Sequence, residues 1–295
     1  MILVTCAGGR TGRAVTAGLS AAGEVVRGMV KRPESAAALY DAGVTQVATG
    51  DLANPGDVAR AMEGVYAVYY IAPNMTPEER AMGNNVIAAA KAAGIERFVF
   101  HSVLHTQIEA LPHHGERRCV EQALIDSGIA FTILQCGSYM QNMLPGWKKM
   151  LETGIHRMAY DIDAPMSLVD LADLAEVAVT VLTEGEFRNG IYEIAGPAIA
   201  VREKAEILSD ILGRTITAEK EPLEAVLAHG RALGFSDYML ATMAKMFPYY
   251  DAHGLVASPK ALEWMLDRPP TDFRAFARRT AAAYDRVAAA RDKSA

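Results

Sequence analysis

The chain has 295 residues, 51% of them hydrophobic, and a formal net charge of −6. This length suits one large or two small domains, and an acidic balance without a basic stripe argues against a nucleic-acid partner. The apolar runs are too short for a transmembrane helix, so we expect no membrane partner. The three cysteines fit no metal or disulfide pattern, and the sequence starts without a secretory leader, so we expect a cytoplasmic protein.

The first twelve residues have the pattern of a phosphate-binding turn. Residues 2–5 are apolar, as in a buried strand, and residues 13–22 form an amphipathic run typical of a helix. A strand, a tight glycine turn and a helix direct backbone amides and the positive end of the helix at a phosphate. The alternative is a βα loop without a ligand. The residues predicted to form a dinucleotide pyrophosphate site are Gly9, Arg10, Thr11 and Gly12.

Two positions in this turn lead to specific predictions about the backbone. Gly12 should let the helix pack closely on the strand, as the third glycine of a dinucleotide fingerprint does. Cys6 occupies the place of the first glycine. Because Cys6 carries a Cβ, we expect it to accommodate the turn without a positive φ angle.

Two cations follow the second predicted strand, residues 24–30. Lys31 and Arg32 lie where dinucleotide folds bind the adenosine ribose, and Arg32 is twenty residues beyond Gly12. A charge-assisted hydrogen bond is worth roughly 1.5–3 kcal/mol, which favours the 2′-phosphate of NADP over NAD by about ten- to a hundredfold. We therefore predict NADP(H) as the cofactor, with Arg10 as a third contact. The alternative is that both cations are solvated loop ends.

Four further apolar runs, at residues 44–48, 66–71, 97–101 and 131–135, alternate with helical patterns. This βαβ series predicts an α/β fold with a Rossmann-type, doubly wound parallel sheet. Ligands of such sheets lie at the carboxyl ends of the strands. The residues predicted to bind the cofactor there are Asp51, Leu52, Ile71, Ala72, Pro73, Ser102, Cys136, Gly137, Ser138 and Tyr139.

Two of these residues have a second interpretation. Asp51 either accepts from the adenine amino group or caps the helix that begins near Asn54. Ser102 binds the substrate or the nicotinamide carboxamide, or only caps the end of its strand.

The order and spacing of these motifs resemble the atypical short-chain dehydrogenase/reductases of the NmrA-like type. The resemblance implies an NADP-binding Rossmann domain and a smaller, mainly helical C-terminal substrate domain. Some members reduce quinones or dyes, and others act as redox-sensing regulators. The motifs that carry the resemblance are TCAGGRTG (5–12), VKRPES (30–35), GDL (50–52), AGIERFVFHS (93–102), HHGERRCVEQALIDSGIAFTILQCGSYMQN (113–142), VDLADLAEVA (169–178) and IYEIAGP (191–197).

The sequence departs from the short-chain dehydrogenases at their Tyr-x-x-x-Lys motif. The register gives His113-x-x-x-Arg117, with His114 and Arg118 as the neighbouring alternative. Histidine can donate or relay a proton near neutral pH, whereas Arg117 stays charged and has only an electrostatic role. We predict Ser102, His113 and Arg117 as catalytic residues. The alternative for His113 is a structural role at the start of a helix.

Beyond residue 144 the pattern changes to a mainly helical one. We predict an NADP-binding domain at 1–144 with 165–196 packed back on it, a substrate domain at 145–164 and 197–287, and a tail at 288–295. Residues 191–195 either extend the edge of the large sheet or pair within the smaller domain. Asp170 and Asp173 fit helix caps better than an acid/base pair. Met239, Met243 and Met246 have helical spacing and suit either a core or an adaptable pocket wall.

The absence of the tyrosine of the Tyr-x-x-x-Lys motif affects which substrates the protein can reduce. Hydride transfer to a simple ketone concentrates negative charge on one oxygen, so the reaction needs a nearby acid. A quinone, an enone or a dye delocalises that charge over the whole molecule. We therefore expect an NADP(H)-dependent oxidoreductase, monomeric or homodimeric, that reduces a conjugated, aromatic or quinone-like small molecule. The alternative is a non-catalytic NADP(H) sensor that regulates a protein partner.

Overall fold

A seven-stranded sheet lies at the centre of the computed structural model, which describes residues 1–292 and the side chains of residues 1–286. The strands are β1 (Ile2–Val4), β2 (Val26–Val30), β3 (Gln46–Thr49), β4 (Ala67–Ile71), β5 (Arg97–Val103), β6 (Phe131–Cys136), β7 (Ser138–Tyr139), β8 (Ile155–Met158), β9 (Met166–Val169), β10 (Gly190–Ile194), β11 (Ala198–Ile199) and β12 (Thr217–Lys220). The helices are α1 (Arg10–Ala21), α2 (Ala37–Asp41), α3 (Pro55–Ala61), α4 (Glu79–Ala92), α5 (Pro112–Asp126), α6 (Trp147–Thr153), α7 (Leu171–Thr183), α8 (Val201–Leu212), α9 (Leu223–Ala232), α10 (Asp237–His253), α11 (Lys260–Leu266) and α12 (Phe273–Asp292). Short 3₁₀ helices cover Pro33–Ser35 and Met140–Gly146.

Two sequence expectations concern the C-terminal tail and the possibility of a membrane-spanning helix. The predicted tail, 288–295, continues α12 as far as residue 292, and residues 293–295 lie outside the described part of the chain. Within residues 1–292, none of the helices is both long and apolar enough to span a bilayer.

All neighbouring strands of the large sheet run parallel, in the order β10-β6-β5-β4-β1-β2-β3. The chain moves outward from β1 to β3 and returns on the other side of β1 at β4, which opens a cleft at the carboxyl ends of these strands. This order confirms the predicted Rossmann-type fold. Strand β10 pairs with β6, so residues 190–194 extend the edge of the large sheet.

Helices cover both faces of the sheet, which explains why its strands are apolar on both sides. On one face, α1 packs against α7 and buries Val15 and Leu19 completely. On the other face, α3, α4 and α5 contribute Val58, Val86 and Val120 to a second core. The sheet is therefore a rigid platform for whatever binds at its carboxyl edge.

The turn between β1 and α1 differs from the prediction at Cys6. Its φ angle is 47°, in the left-handed region, so the expectation that it avoids positive φ was wrong. The amide of Gly9 donates to the carbonyl of Cys6 at 3.0 Å, and the amide of Ala7 donates to the carbonyl of Met29 at 3.0 Å. These two bonds fix the backbone around Cys6, and its left-handed conformation is compatible with both.

The predicted close packing at Gly12 is present. Helix α1 begins at Arg10, three residues earlier than expected, so Gly12 lies in its first turn. A Cβ on Gly12 would lie 2.4 Å from the carbonyl oxygen of Cys6 and 2.6 Å from the Cα of Ala7. Both distances are far shorter than an optimal contact of about 3.5–4.0 Å, so glycine is required where the helix meets the turn.

A second, smaller core begins where β5, β6 and β10 end. It is built from the two small sheets, β7-β9-β11 and β8-β12, and from α6, α8, α10 and α12. From the methionine-rich helix α10, Met246 and Phe247 pack on this core, whereas Met239 and Met243 are half-buried. The division of the chain into two domains stays a prediction.

Asp170 caps α7, as the sequence favoured, whereas Asp173 in the first turn of this helix does not cap it and contacts Arg268 and Thr271. Asp170 is the N-cap and accepts from the amide of Ala172 at 2.9 Å. Asp173 accepts from the amide of Thr271 at 2.6 Å and from Arg268 at 2.9 Å. Both carboxylates are therefore used to join α7 to its surroundings.

We expect Gly12→Ala to lower the free energy of unfolding by about 1–3 kcal/mol, because the added Cβ would overlap backbone atoms. Gly115→Ala in α5 is the matched control, since among the described residues a Cβ there would have no neighbour within 4 Å outside its own helix. Removing a helical glycine should stabilise the protein by about 0.5–1 kcal/mol. Urea unfolding followed by circular dichroism measures both effects, and a Gly12→Ala protein as stable as the wild type would contradict the close approach.

Candidate active site

The amino end of α1 follows β1 directly, at the cleft between β1 and β4. Its N-cap, Gly9, has no side chain, and within residues 1–286 no side chain caps the first turn. Amides at such an uncapped end retain the capacity to bind an anion, and the positive end of the helix favours a negative charge. The glycine turn therefore fits a pyrophosphate.

A cavity of about 420 Å³ continues from this turn along the ends of β2, β3 and β4. In a dinucleotide fold, the adenosine half of the cofactor lies in this position. The predicted residues Lys31, Asp51, Leu52 and Pro73 all line the cavity. The other lining residues are Cys6, Met29, Val30, Gly50, Ala53, Thr76, Glu78 and Met82.

Lys31 and Asp51 form an ion pair at 2.7 Å in the wall of this cavity. A hydrogen bond from Lys31, followed by one from a backbone amide, lowers the pKa of Asp51 below its usual value. Accessible ion pairs contribute little to stability, so Lys31 can exchange this carboxylate for a phosphate. Asn54, rather than Asp51, caps α3 by accepting from the amide of Gly56 at 2.9 Å.

The two arginines predicted to bind the cofactor lie in different surroundings. Arg32 is exposed at the start of the 3₁₀ helix Pro33–Ser35. The Arg10 guanidinium donates to the carbonyl of Gln141 at 3.0 Å and to the side chain of Asn142 at 3.1 Å. Arg10 thus joins the glycine turn to the segment that follows β7, and its contact with a 2′-phosphate stays a prediction.

Three polar side chains on β4, β5 and β7 form a hydrogen-bonded row. The hydroxyl of Tyr69 lies 3.0 Å from Nδ1 of His101, and Nε2 of His101 lies 2.6 Å from the hydroxyl of Tyr139. Burial, assisted by the positive charge of Arg117, lowers the pKa of His101 to about 3, so its ring is neutral at pH 7. Burial raises the pKa of Tyr139 above its usual value, and a hydrogen bond with Thr11 opposes that shift.

A neutral imidazole has one donor and one acceptor nitrogen, so this row has two arrangements. With the hydrogen on Nδ1, His101 donates to Tyr69 and accepts from Tyr139. With the hydrogen on Nε2, His101 accepts from Tyr69 and donates to Tyr139. The hydroxyl hydrogen of Tyr139 is then free for another acceptor. Tyr139 also lines a narrow crevice with Ser138 and Asn142. The second arrangement gives the site a hydrogen-bond donor.

Ser102 lies in a different polar group. It is 1% exposed and donates to Glu121 of α5 at 2.5 Å. Thr106 and Gln135 donate to the same carboxylate at 2.9 and 3.1 Å. Because its hydroxyl hydrogen is used in this contact, Ser102 joins β5 to α5 in this arrangement. Its contact with substrate stays a prediction.

Arg117 is the central charge of the site. Its Nε lies 2.6 Å from the fully buried carboxylate of Glu79, and its Nη1 donates to the carbonyl of His101 at 3.3 Å. Burial raises the pKa of Glu79, and Arg117 opposes that shift. Burial also tends to lower the pKa of Arg117, but the combined effects of Glu79, Tyr139 and Tyr70 outweigh it and the net shift is upward. The structure thus brings Arg117 against the His101 row.

His113 and His114 lie in the first turn of α5, because Pro112 occupies the first position of this helix. Burial, with smaller effects of His114 and Arg117, lowers the pKa of His113 to about 3. Within the described residues Nδ1 of His113 has no hydrogen-bond partner, while Nδ1 of His114 contacts the carbonyl of His105 at 2.9 Å. Both rings are buried, and a neutral His113 can relay a proton but is a weak acid.

Sequence reasoning missed two important residues of this site, His101 and Glu79. A histidine inside the apolar run of a strand buried on both faces is a usable signal, because a buried polar side chain must find a partner. Glu79 gave no such signal, since a carboxylate near the start of a helix is ordinary.

A family model of the NmrA-like family matches residues 1–281. The chain belongs to the NmrA-like family. Among curated NmrA-like relatives, an NAD(P)H azoreductase of Xenophilus azovorans is 31% identical over 297 residues, covering 96% of this chain and 99% of the relative. A (4-alkanoyl-5-oxo-2,5-dihydrofuran-3-yl)methyl phosphate reductase of Streptomyces griseus is 35% identical over 228 residues, covering 76% and 78%.

A solved structure extends the comparison to the fold. The NADPH-dependent quinone oxidoreductase of Escherichia coli, crystallised with NADPH, superposes with a TM-score of 0.80 at 27% identity. The match covers 95% of this chain and 99% of that chain. The similarity therefore includes both the large sheet and the smaller core.

We expect His113→Gln to reduce the loss of stability in mild acid. In the unfolded chain His113 becomes protonated below about pH 6.5, whereas in the folded chain it becomes protonated only near pH 3. The wild type therefore loses stability at this residue as the pH falls from 6.5, by up to about 2 kcal/mol at pH 5. Urea unfolding at pH 7 and pH 5 measures the difference.

The exposed His229 of α9 supplies the control for this experiment. His229→Gln should retain the pH dependence of the wild type. A His113→Gln protein that also retains it would show that His113 is not buried in its neutral form.

Proposed function

We propose that this protein is an NADPH-dependent reductase that transfers hydride to a conjugated, quinone-like or aromatic small molecule. The chain is an oxidoreductase of the NmrA-like type that uses NADP(H), as the names of its relatives and the cofactor of the solved quinone oxidoreductase support. The observation that carries the substrate class is the Tyr139 hydroxyl, held 2.6 Å from a neutral histidine in place of a Tyr-Lys pair.

The acid–base groups of the site suit an acceptor that spreads its charge. His101 and His113 are neutral at pH 7, and burial raises the pKa of Tyr139, so each is a poor proton donor. A hydroxyl of this kind still donates a hydrogen bond, which is enough for a quinone or an extended enone but not for a simple ketone. When bound, NADPH supplies the hydride, and the proton that completes the reduction comes from solvent.

The chain positions the acceptor through Tyr139 and sets the local field through Arg117. The Nε2 tautomer of His101 turns the Tyr139 hydroxyl hydrogen towards the acceptor oxygen. The positive charge of Arg117, partly balanced by Glu79 at 2.6 Å, favours negative charge that develops on this oxygen. Ser102 and His113 support this arrangement from β5 and α5.

The direct test is NADPH oxidation, followed by absorbance at the nicotinamide band, with a panel of naphthoquinones, azo dyes and simple ketones. We expect turnover with the conjugated acceptors and little with the ketones. No oxidation with any acceptor, together with unequal affinities for NADP⁺ and NADPH, would favour a redox sensor and overturn the reductase.

Lys31→Ala combined with Arg32→Ala should weaken NADPH binding by about ten- to a hundredfold and leave NADH binding nearly unchanged, because only NADPH carries the 2′-phosphate. Titration calorimetry with both cofactors measures the effect. The matched control changes Lys148 and Lys149, two neighbouring exposed lysines of α6, to alanine. An equal loss for NADPH and NADH would refute the assignment of these cations to the phosphate.

Tyr139→Phe should lower kcat with a naphthoquinone by about tenfold, the value of one hydrogen bond made in the transition state, while NADPH affinity stays the same. His113→Gln should reduce kcat less, because the ring is neutral and lacks a partner at Nδ1 among the described residues. Stopped-flow measurement of hydride transfer compares the two variants. A larger loss in His113→Gln would return the relay role to the histidine.

A further inference from the structure

The smaller core contains a buried lysine whose ammonium group has a single hydrogen-bond partner among the described residues. Lys204 of α8 is 3% exposed, yet its ammonium contacts only the Tyr160 hydroxyl, at 3.3 Å, among the hydrogen bonds of the described side chains. The same ammonium lies 5.6 Å from the centre of the Tyr160 ring. Burial alone lowers the pKa of Lys204 to about 8, so it remains mainly protonated at pH 7.

Lys204 and Tyr139 both line one narrow crevice. The enclosed space measures about 10 Å³, room for roughly one water molecule. Three of its lining residues are methionines, whose flexible side chains can yield to an entering ligand. The remaining lining residues are Ser138, Tyr139, Asn142, Tyr160, Leu168 and Phe273, and the methionines are Met140, Met143 and Met158.

A protonated amine in such surroundings has an unfavourable desolvation free energy that no neighbouring charge in the described part of the chain offsets. Taking a charge out of water costs several kcal/mol unless an opposite charge or several hydrogen bonds replace the water. Among the described side chains the groups nearest Lys204 are neutral: Tyr160, and the buried His156, whose pKa burial and then Lys204 lower to about 3. Within residues 1–286 the ammonium of Lys204 forms no ion pair with a carboxylate, and its hydrogen-bond partner is the neutral Tyr160 hydroxyl.

This unpaired cation shares the crevice with two residues that contact the candidate site. Tyr139 is hydrogen-bonded to His101, and Asn142 accepts from Arg10 of the glycine turn. An acceptor that meets Tyr139 and enters this crevice would come close to Lys204 and its methionine-lined wall. An anionic group on that acceptor would balance the buried charge.

We propose that Lys204 is a specificity-determining residue that selects acceptors carrying an anionic substituent, such as a sulfonate, carboxylate or phosphate, beside the conjugated system. This inference rests on the proposed function, since it assigns the substrate class of the same site. The anion binds the ammonium directly, and the hydroxyl of Tyr160 holds the ammonium in place.

Calorimetry of the NADP⁺-loaded protein tests the inference without turnover. The probes are 2-naphthalenesulfonate and 2-naphthalenesulfonamide, which have similar shapes but differ in charge. We expect the wild type to bind the sulfonate about ten- to a hundredfold more tightly than the sulfonamide, the effect of one charge-assisted hydrogen bond. Equal binding of the two probes, or no binding of either, would overturn the inference.

Lys204→Met and Lys204→Gln then assign the preference to the charge. Glutamine retains a hydrogen-bond donor for Tyr160, so both variants should lose the preference for the sulfonate if the charge is responsible. Lys91→Met, at an exposed lysine of α4, is the control and should retain it. Lys204→Met should also melt at a higher temperature than the wild type, because it removes an uncompensated buried cation. A lysine with only a structural role would give the opposite shift.

Kinetics separates this inference from the proposed function. The ratio of kcat/KM for 1,2-naphthoquinone-4-sulfonate to that for 1,2-naphthoquinone should fall about tenfold or more in both Lys204 variants, mainly through KM. If the wild type oxidises NADPH with neither quinone but still prefers the sulfonate probe, the reductase is wrong and the anion site stands. If it reduces both quinones with no preference that depends on Lys204, the reductase stands and the anion site is wrong.

Discussion

The whole site depends on one close contact, between the first turn of α1 and the backbone of the preceding turn. Gly12 permits this contact, because any Cβ there would lie 2.4 Å from a carbonyl oxygen. The approach sets the direction of α1 and aims its uncapped amides at the cleft. It also places Thr11 against Tyr139 and Arg10 against Gln141. The same turn therefore positions both the proposed pyrophosphate site and the proposed reacting end.

Burial then determines which chemistry this arrangement can perform. The imidazoles of His101 and His113 are held neutral, while the charge of Arg117 is retained through its pairing with Glu79. A site of this kind offers oriented hydrogen bonds and a fixed positive field, but no strong proton donor. The same absence of a standard acid is expected to exclude simple ketones and to permit acceptors that delocalise the incoming charge.

The sequence was most informative where structure depends on local patterns. Apolar runs buried on both faces, separated by helical patterns, were enough to predict the parallel sheet, and the glycine spacing located the turn at Gly12. Cys6 was misjudged because its left-handed angle accompanies two backbone hydrogen bonds that the residue type does not reveal, from Gly9 to the Cys6 carbonyl and from Ala7 to the Met29 carbonyl.

Long-range contacts explain the rest of the difference between sequence and structure. Tyr139 was predicted to bind the cofactor, but its partner His101 lies 38 positions away and on another strand. Ser102, the neighbour of His101, points to the opposite side of β5 and meets Glu121. Successive residues of a strand face opposite sides of the sheet. His101 therefore faces the candidate site, whereas Ser102, one position later, faces α5.

The two cores are joined at the reacting end by a continuous polar chain. Arg10 of the glycine turn donates to Gln141, Gln141 donates to Asp170 at 2.7 Å, and Asp170 also accepts from Arg279 of α12. The cofactor cradle, the cap of α7 and the last helix therefore share one set of hydrogen bonds. Asn142, which accepts from Arg10, also lines the crevice that contains Lys204. In the proposed reductase, binding of the acceptor is therefore expected to depend on how this set of hydrogen bonds holds the glycine turn.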